Sequence, residues 1–364
     1  MERSVQLLLT TKQSRLSALL IPILSVLLGF IFGALLMLLF GYNPIDAYQA
    51  MLMGVFNSPY FIGEAIRQAT VLTFTGLGFA IAFKAGFFNI GIAGQLLVGW
   101  VAAIWVALSF PDLPRIILLT ISIGAAIVAG AVWAGIAGTL RAYFGTSEVI
   151  VTIMLNYTAL HLTNYIIRSV LTTGNTTDMV SENASLSVGW LTTLTQGSRI
   201  NMGLFIAIIV VFLYWLFMTQ TTAGFEVRAV GLNPDASTYA GMSAKRNIIL
   251  SMLISGGLAG LGGAIHGLGT FGNLFTQSGL PSLGFNGIAV ALLGLGNPVG
   301  IFFSSILFGV LDVGAGFMPN RAGVPDEMAD IVIAAIIFFV GANYVIRLVL
   351  DKMKSNKTAE KGGE

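Results

Sequence analysis

Ten apolar runs, separated by short polar breaks, constrain the fold of this chain more than any other feature. Hydrophobic residues make up 56% of the 364 residues and charged residues only 9%, whereas soluble domains carry about 25% charged residues. So few charges cannot cover a soluble domain of this length, so most of the surface must face lipid. Because backbone groups in lipid must pair within their own segment, we expect an all-α, polytopic membrane helix bundle.

The runs predict about ten transmembrane helices, of which the eighth is short. The first run is too long for the core of a signal peptide, so we interpret it as an uncleaved anchor. A further short helix is expected at the outer interface, within residues 42–60, and glycine-rich stretches leave room for broken or re-entrant segments. The approximate bounds of the runs are 18–40, 62–83, 86–108, 115–140, 149–170, 200–218, 247–268, 283–295, 300–317 and 328–350.

The positions of the basic residues predict the orientation. If the N-terminus is inside, 13 of the 18 Lys and Arg residues lie on the inner side and 5 on the outer side. This excess favours an N-in, C-in topology with an even number of spans. We therefore expect a cytoplasmic N-terminus at 1–17, a transmembrane domain at 18–350 and a charged cytoplasmic tail at 351–364. The polar break at 220–246 then faces the cytoplasm, and the break at 171–199 faces outward.

The inner break at 220–246 contains a strong helix start. Asn233 can cap a helix, Pro234 suits its first position and Asp235 favours its positive end, while Gly241 is a suitable stop. The pattern predicts a helix of about two turns, Pro234 to Ala240, which is too short to be stable alone. Spacing alone leaves two interpretations equally open: an ordinary loop helix, or a helix that docks on a soluble partner.

The stretch TTAGFEVRAVGLNPDASTYAG, residues 221–241, resembles the cytoplasmic coupling segment of ATP-binding-cassette importer permeases. The similarity is to the ribose and branched-chain amino-acid permease family, and especially to its nucleoside-uptake branch. Supporting stretches lie at 75–100, 145–157 and 284–300, and the resemblance extends over roughly 70–344. It implies contact with an ATPase by Arg228, Gly231, Asn233, Pro234, Asp235, Ala236, Ala240 and Gly241.

The same resemblance implies which proteins this chain assembles with and which of them binds ATP. It implies a second, related permease subunit, a cytoplasmic ATPase and an extracellular substrate-binding lipoprotein, with nucleosides as cargo. This chain is then expected to hold no cofactor of its own, because the ATPase binds ATP and Mg²⁺. The sequence agrees with this division, since it contains no G-x-x-x-x-G-K-[ST] phosphate loop.

Polar side chains within the apolar runs are candidates for the substrate pathway, because they are costly in lipid unless they face protein or water. Amide groups offer both donors and acceptors, which suits a sugar or a nucleobase. Hydrogen bonding between helices is an equally good explanation for them. The candidates are Phe88, Asn89, Gln95, Asn156 and Asn286.

One apolar run, together with the residue directly after it, is rich in glycine, at positions 256, 257, 260, 262, 263, 267 and 269. Close helix packing is the favoured explanation, and a break that lines a passage is the alternative.

Glu64 and Arg67 are spaced to form an ion pair at i,i+3.

Several classes of function are excluded or disfavoured. The chain has no cysteine and only two, widely separated histidines, so we expect no metal site, and the net charge of +2 indicates no nucleic-acid surface. It also lacks the H-E-x-x-H and G-x-S-x-G patterns, so we expect no catalytic residues. Two alternatives stay open: the same machinery carrying ribose or another small polar solute, and an ion-coupled secondary transporter, for which Asp312 is the main buried acid.

Overall fold

The computed structural model describes residues 2–342, and its regular elements in that stretch are helical apart from one isolated antiparallel bridge between Thr176 and Phe275. The all-α prediction is confirmed. In chain order the α-helices are α1 (Glu2–Leu39), α2 (Pro44–Phe56), α3 (Pro59–Lys84), α4 (Ile92–Ser109), α5 (Arg115–Phe144), α6 (Glu148–Ile166), α7 (Gly189–Leu194), α8 (Gly203–Gln220), α9 (Thr222–Leu232), α10 (Pro234–Tyr239), α11 (Ala244–His266), α12 (Ser282–Leu293), α13 (Pro298–Ala315), α14 (Met318–Ala322) and α15 (Glu327–Gly341).

Eight of the described helices are long and apolar enough to cross a membrane. They match the first seven predicted runs and the ninth. The eighth run forms α12, which has only 12 residues, as expected for the short run. The tenth begins as α15, and its predicted remainder up to residue 350, like the predicted tail, lies outside the described residues. The expected short helix after the first run is α2.

The predicted start of the third run is wrong. We placed it at residue 86, but α4 begins at Ile92, and residues 85–91 form the turn that joins it to α3. Gly86 adopts a left-handed backbone with φ of +79°, which ends the preceding helix, and the amide of Phe87 bonds back to the carbonyl of Ala82 at 2.9 Å. The non-helical segment therefore precedes the span instead of interrupting it.

The described chain forms two compact units. The first combines the residues up to Gly54 with those from Gly314 onward. Within it α1 packs along α15, because Gly29 and Gly33 leave no room for a Cβ beside Ile336 and Val332. The hydroxyl of Tyr48 on α2 donates to the backbone carbonyl of Phe30 at 2.7 Å and so ties α2 to α1.

The second unit, Val55–Val313, has α11 at its centre, packed against α3, α4 and α5. The glycines of α11 make this possible. A Cβ at Gly256 would overlap the backbone of Gly130 on α5, and one at Gly263 would overlap the carbonyl oxygen of Leu96 on α4. The preferred interpretation of the glycine run, close approach of helix backbones, is confirmed.

Charges that the sequence assigns to the same side lie close together in this unit. On the predicted inner side, the ammonium of Lys245 lies 5.1 Å from the centre of the Tyr143 ring, and Arg141 pairs with Glu148 at 3.4 Å. On the predicted outer side, Arg67 and Arg199 share Glu64. These contacts do not depend on which side faces the cytoplasm, so the orientation stays a prediction.

Candidate functional site

The predicted coupling helix is present and begins where the sequence indicates. The side chain of Asn233 accepts a hydrogen bond from the amide of Ala236 at 3.0 Å, and Pro234 opens α10. The helix ends after Tyr239, and Gly241 turns the chain with φ of +86°. The cap and the stop therefore follow from the local sequence alone.

A second helix in the same polar segment was missed by the sequence analysis. The hydroxyl of Thr221 accepts from the amide of Gly224 at 3.0 Å and starts α9, which runs directly into the Asn233 cap. Val227 and Val230, spaced at i,i+3, are fully buried. Thr221 as an N-cap followed by this apolar spacing is the signal that could have identified α9.

The helix α9 lies close against the end of α3. A Cβ at Gly231 would overlap the carbonyl oxygen of Lys84, and Gly86 lies against the same point of α9. On α9, the carboxylate of Glu226 accepts a hydrogen bond from the amide group of Asn247 on α11 at 2.9 Å. Movement of α9 would therefore reach two membrane spans through direct contacts.

The tip of this segment presents apolar side chains to the exterior of the chain. Leu232 is 89% exposed and Tyr239 is 94% exposed. Most of the predicted coupling residues are exposed around them, whereas Gly231 packs inward against α3. Large apolar groups exposed at the end of a polar segment are typical of a surface that binds another protein. The exposed members of the predicted set are Arg228, Asn233, Pro234, Asp235, Ala236, Ala240 and Gly241.

The predicted pathway residues Asn89 and Gln95 contact each other. The Asn89 side chain is completely buried. Its amide donates to Gln95 at 3.1 Å and to Ser255 on α11 at 2.8 Å. Its oxygen accepts from the amide of Gly91 at 2.9 Å and from Gln95 at 3.1 Å. All four hydrogen-bonding positions of Asn89 are therefore filled by protein.

Asn156 on α6 supports the same turn from the opposite side. Its oxygen accepts from the amide of Gly94 at 2.8 Å, and its nitrogen donates to the carbonyl of Ile90 at 2.9 Å. The turn at 85–91 is thus held to α6 and α11 by amide side chains. These contacts correspond to the helix–helix alternative, and a direct role in the substrate pathway stays a prediction for Asn89, Gln95 and Asn156.

The side chains of Phe88 and Asn286 take no part in this network and are only partly buried. The Phe88 ring meets the ring of Phe79 edge to face, with centroids 5.2 Å apart. Asn286 lies on α12, and within the described part of the chain its side chain makes no hydrogen bond. Both could therefore contact a solute without the loss of an existing hydrogen bond, and their role also stays a prediction.

A charge cluster lies on the predicted outer side of the second unit. Glu64, 5% exposed, accepts from Arg67 at 2.8 Å and from the side chain and the backbone amide of Arg199 at 3.3 and 2.7 Å. The predicted Glu64–Arg67 pair is confirmed. Arg199, which is distant in sequence, was not foreseen. Asp312, the main acid of the secondary-transporter alternative, accepts from Gln68 on α3 at 2.8 Å.

An aromatic cluster at the end of α11 was also missed by the sequence analysis. The five residues after α11, Gly267–Phe271, form a π-helical turn. Trp100 stacks on Phe271 with centroids 5.4 Å apart, and His266 and Phe275 meet the Trp100 ring edge to face. Such π-helical turns are frequent at functional sites. Trp100 is distant in sequence from the other three rings, so the cluster forms only when the chain folds.

A family model described as "Branched-chain amino acid transport system / permease component" matches residues 61–341. The match covers both the coupling segment and the buried amide network.

Among curated proteins, the chain is 47% identical to the nucleoside ABC transporter permease protein NupB of Lactococcus lactis, covering 94% of this chain and 95% of NupB. It is 48% identical to the guanosine ABC transporter permease protein NupP of Bacillus subtilis, covering 93% and 98%. The glucose ABC transporter permease protein TsgB13 of Haloferax volcanii is 32% identical over 94% of this chain and 93% of TsgB13.

Two weaker relatives come from the same two bacteria. They are the nucleoside permease protein NupC of L. lactis, 25% identical over 78% of this chain and 93% of NupC, and the guanosine permease protein NupQ of B. subtilis, 24% identical over 73% and 85%. Each bacterium therefore has one permease protein that is very similar to this chain and another that is less similar.

Proposed function

The chain belongs to the branched-chain amino acid transport system permease family, and from this membership we propose that it is the transmembrane permease subunit of an ATP-binding-cassette importer that carries nucleosides into the cell. The proposal that nucleosides are the cargo rests on one observation, which is the difference in sequence identity between the relatives. Identity is 47 and 48% to the nucleoside and guanosine permeases over nearly their whole length, but only 32% to the glucose permease.

The proposed mechanism is alternating access driven by a separate ATPase. That ATPase binds ATP and Mg²⁺ and holds α10 in a groove, with Leu232 and Tyr239 as apolar anchors. Closure of the ATPase displaces α10 and α9. The contact of Gly231 with Lys84 passes the displacement to α3, and the bond between Glu226 and Asn247 passes it to α11.

The proposed pathway lies beside the turn at residues 85–91. Phe88 and Asn286 contact the cargo, the first by stacking on the base and the second by hydrogen bonds. Asn89, Gln95 and Asn156 shape the wall by holding the turn in place. The hydrogen bonds of two residues support this division, because protein fills all four positions of Asn89 whereas the side chain of Asn286 makes no hydrogen bond within residues 2–342.

The proposed complex contains a second permease subunit that is a relative of this chain. The occurrence of NupB with NupC, and of NupP with NupQ, in single organisms supports a pair of unlike permeases. The ATPase and an extracellular substrate-binding lipoprotein complete the importer, and the transport reaction requires no catalytic residue of this chain.

Uptake of radiolabelled nucleosides tests the proposal. Cells that lack nucleoside uptake are supplied with this chain, the second permease, the ATPase and the binding protein. We expect nucleoside uptake that persists when an uncoupler collapses the proton gradient while ATP is maintained. Replacing 234–239 with a Gly/Ser linker should abolish uptake while the chain still inserts, because the linker cannot hold a docked helix.

Three results would contradict the proposal. Uptake of glucose without uptake of nucleosides would overturn the cargo. Loss of uptake with the uncoupler at constant ATP would favour ion coupling instead. Full uptake by the Gly/Ser variant would exclude the coupling role of α10. A matched control is Thr238→Ala, which changes an exposed side chain of α10 whose hydroxyl bonds only within the helix, to the carbonyl of Pro234.

A further inference from the structure

An apolar groove of about 830 Å³ lies between α5 and the start of α8 in the second unit. One wall is the face of α5 from Ile116 to Ile127, and the remaining lining residues are Leu186, Val188, Trp190, Met202 and Ile206. The two helices face outward over most of their length, since only 22% of each candidate span is buried. In a membrane protein such a groove is open to the lipid.

A single basic side chain lies at the outer end of the groove. Arg115 donates to the backbone carbonyls of Ser185 and Ser187 at 3.0 and 2.8 Å through one of its terminal nitrogens. No carboxylate of the described chain lies within ion-pair distance of it. Its positive charge is therefore held at a fixed place, and an anion could approach the remaining guanidinium nitrogens.

The length of the groove matches one leaflet of a bilayer. From Arg115 to Ile127 a helix rises 12 residues at about 1.5 Å each, or about 18 Å. Half of a hydrocarbon core of about 30 Å is about 15 Å. Trp190, which is 57% exposed, also lines the groove, and Trp rings are enriched at the membrane–water interface.

The floor of the groove has space for a narrow chain. A Cβ at Gly124 would meet no atom within 4 Å, whereas a Cβ at Gly130, about 1.7 turns further along α5, would overlap Gly256. A thin acyl chain can lie along this open stretch of α5, whereas a packed α-helix would have its axis about 8–10 Å from that of α5.

We propose that this groove binds one anionic phospholipid of the outer leaflet, with its phosphate at Arg115 and an acyl chain along α5 past Gly124. The lipid fills the space between α5 and α8 and so supports the loop at residues 185–190, which borders the groove. This inference is independent of the cargo and of the ATPase.

Native mass spectrometry of the purified importer in nanodiscs of phosphatidylglycerol and phosphatidylcholine tests the proposal. Wild type should retain one phosphatidylglycerol in preference to phosphatidylcholine. Arg115→Gln should weaken retention about tenfold, the effect of losing one charge-assisted contact, while Arg115→Lys keeps it. Gly124→Phe should abolish retention of phosphatidylglycerol, because the phenyl ring fills the groove at this position. Gly124→Ala, which tests helix propensity at the same position, should retain the lipid.

Several outcomes would overturn the proposal. These are no retained lipid in wild type, equal retention of both lipids, or wild-type retention by both Arg115→Gln and Gly124→Phe. The chain has no cysteine, so Ile206→Cys provides a single reactive site. Efficient cross-linking of this residue to the second permease would show that the groove is a subunit interface. Cross-linking to a photoactivatable phosphatidylglycerol would support the proposal, even if Gly124→Phe fails to fold.

Discussion

At the residue scale, Glu64 is the charge whose removal we expect to cost most. Its side chain is 7% exposed and holds Arg67, itself 11% exposed, as well as Arg199. Glu64→Gln leaves two guanidinium groups without their counter-charge, and breaking a buried pair costs about 3–5 kcal/mol. We expect a large fall in the thermal unfolding midpoint of the detergent-purified chain.

The matched control for this prediction is Glu148→Gln. In this pair Arg141 is 41% exposed and Glu148 is 19% exposed, and pairs in contact with solvent contribute about 0–1 kcal/mol. The midpoint should therefore change little. Equal shifts of the thermal unfolding midpoint for the two variants would show that burial does not increase the contribution of Glu64 to stability.

At the element scale, variants in the segment formed by α9 and α10 can test docking on the ATPase separately from folding of the chain. Leu232 and Tyr239 are 89% and 94% exposed, so the double variant Leu232→Ser/Tyr239→Ser loses no packing within the chain. We expect an unchanged thermal midpoint but at least about tenfold weaker retention of the ATPase during co-purification, since apolar anchors dominate protein interfaces.

Thr238→Ala serves as the control on the same helix, because it changes an exposed side chain without removing an apolar anchor. Undiminished ATPase retention by the double variant would place the docking surface elsewhere. A lowered midpoint would instead show that these side chains support the fold.

At the scale of the whole molecule, the orientation predicts which surfaces can be labelled from outside. The chain has no native cysteine, so single cysteines can be placed on either polar break. With a membrane-impermeant maleimide, Asp178→Cys on the outer break should be labelled in intact cells. In the chain expressed without the ATPase, which is proposed to cover residue 239, Tyr239→Cys should be labelled only after permeabilisation, because the predicted orientation places α10 in the cytoplasm. Labelling of residue 239 in intact cells would reverse the topology and remove the basis for ATPase coupling.

Much of the fold could be read from the sequence because the membrane imposes simple rules. Long apolar runs must be helices, basic residues select the inner side, and the Asn233-Pro234 pair starts a helix by local hydrogen bonding. The start of α4 was misplaced by six residues, since apolar composition continues through the turn at 85–91 and hydropathy alone does not reveal where the chain leaves the helix.

The sequence by itself determined an all-α polytopic chain, its approximate spans and a capped helix in the inner polar break, because these depend on composition and on neighbours along the chain. Only the tertiary structure decided that Asn89, Gln95 and Asn156 bond to protein, that Arg199 joins Glu64 and that Arg115 and Gly124 line one apolar groove. The physical reason is that a polar group in a membrane protein must find a partner. Which partner it finds depends on how distant helices pack, and that packing is not encoded in local spacing.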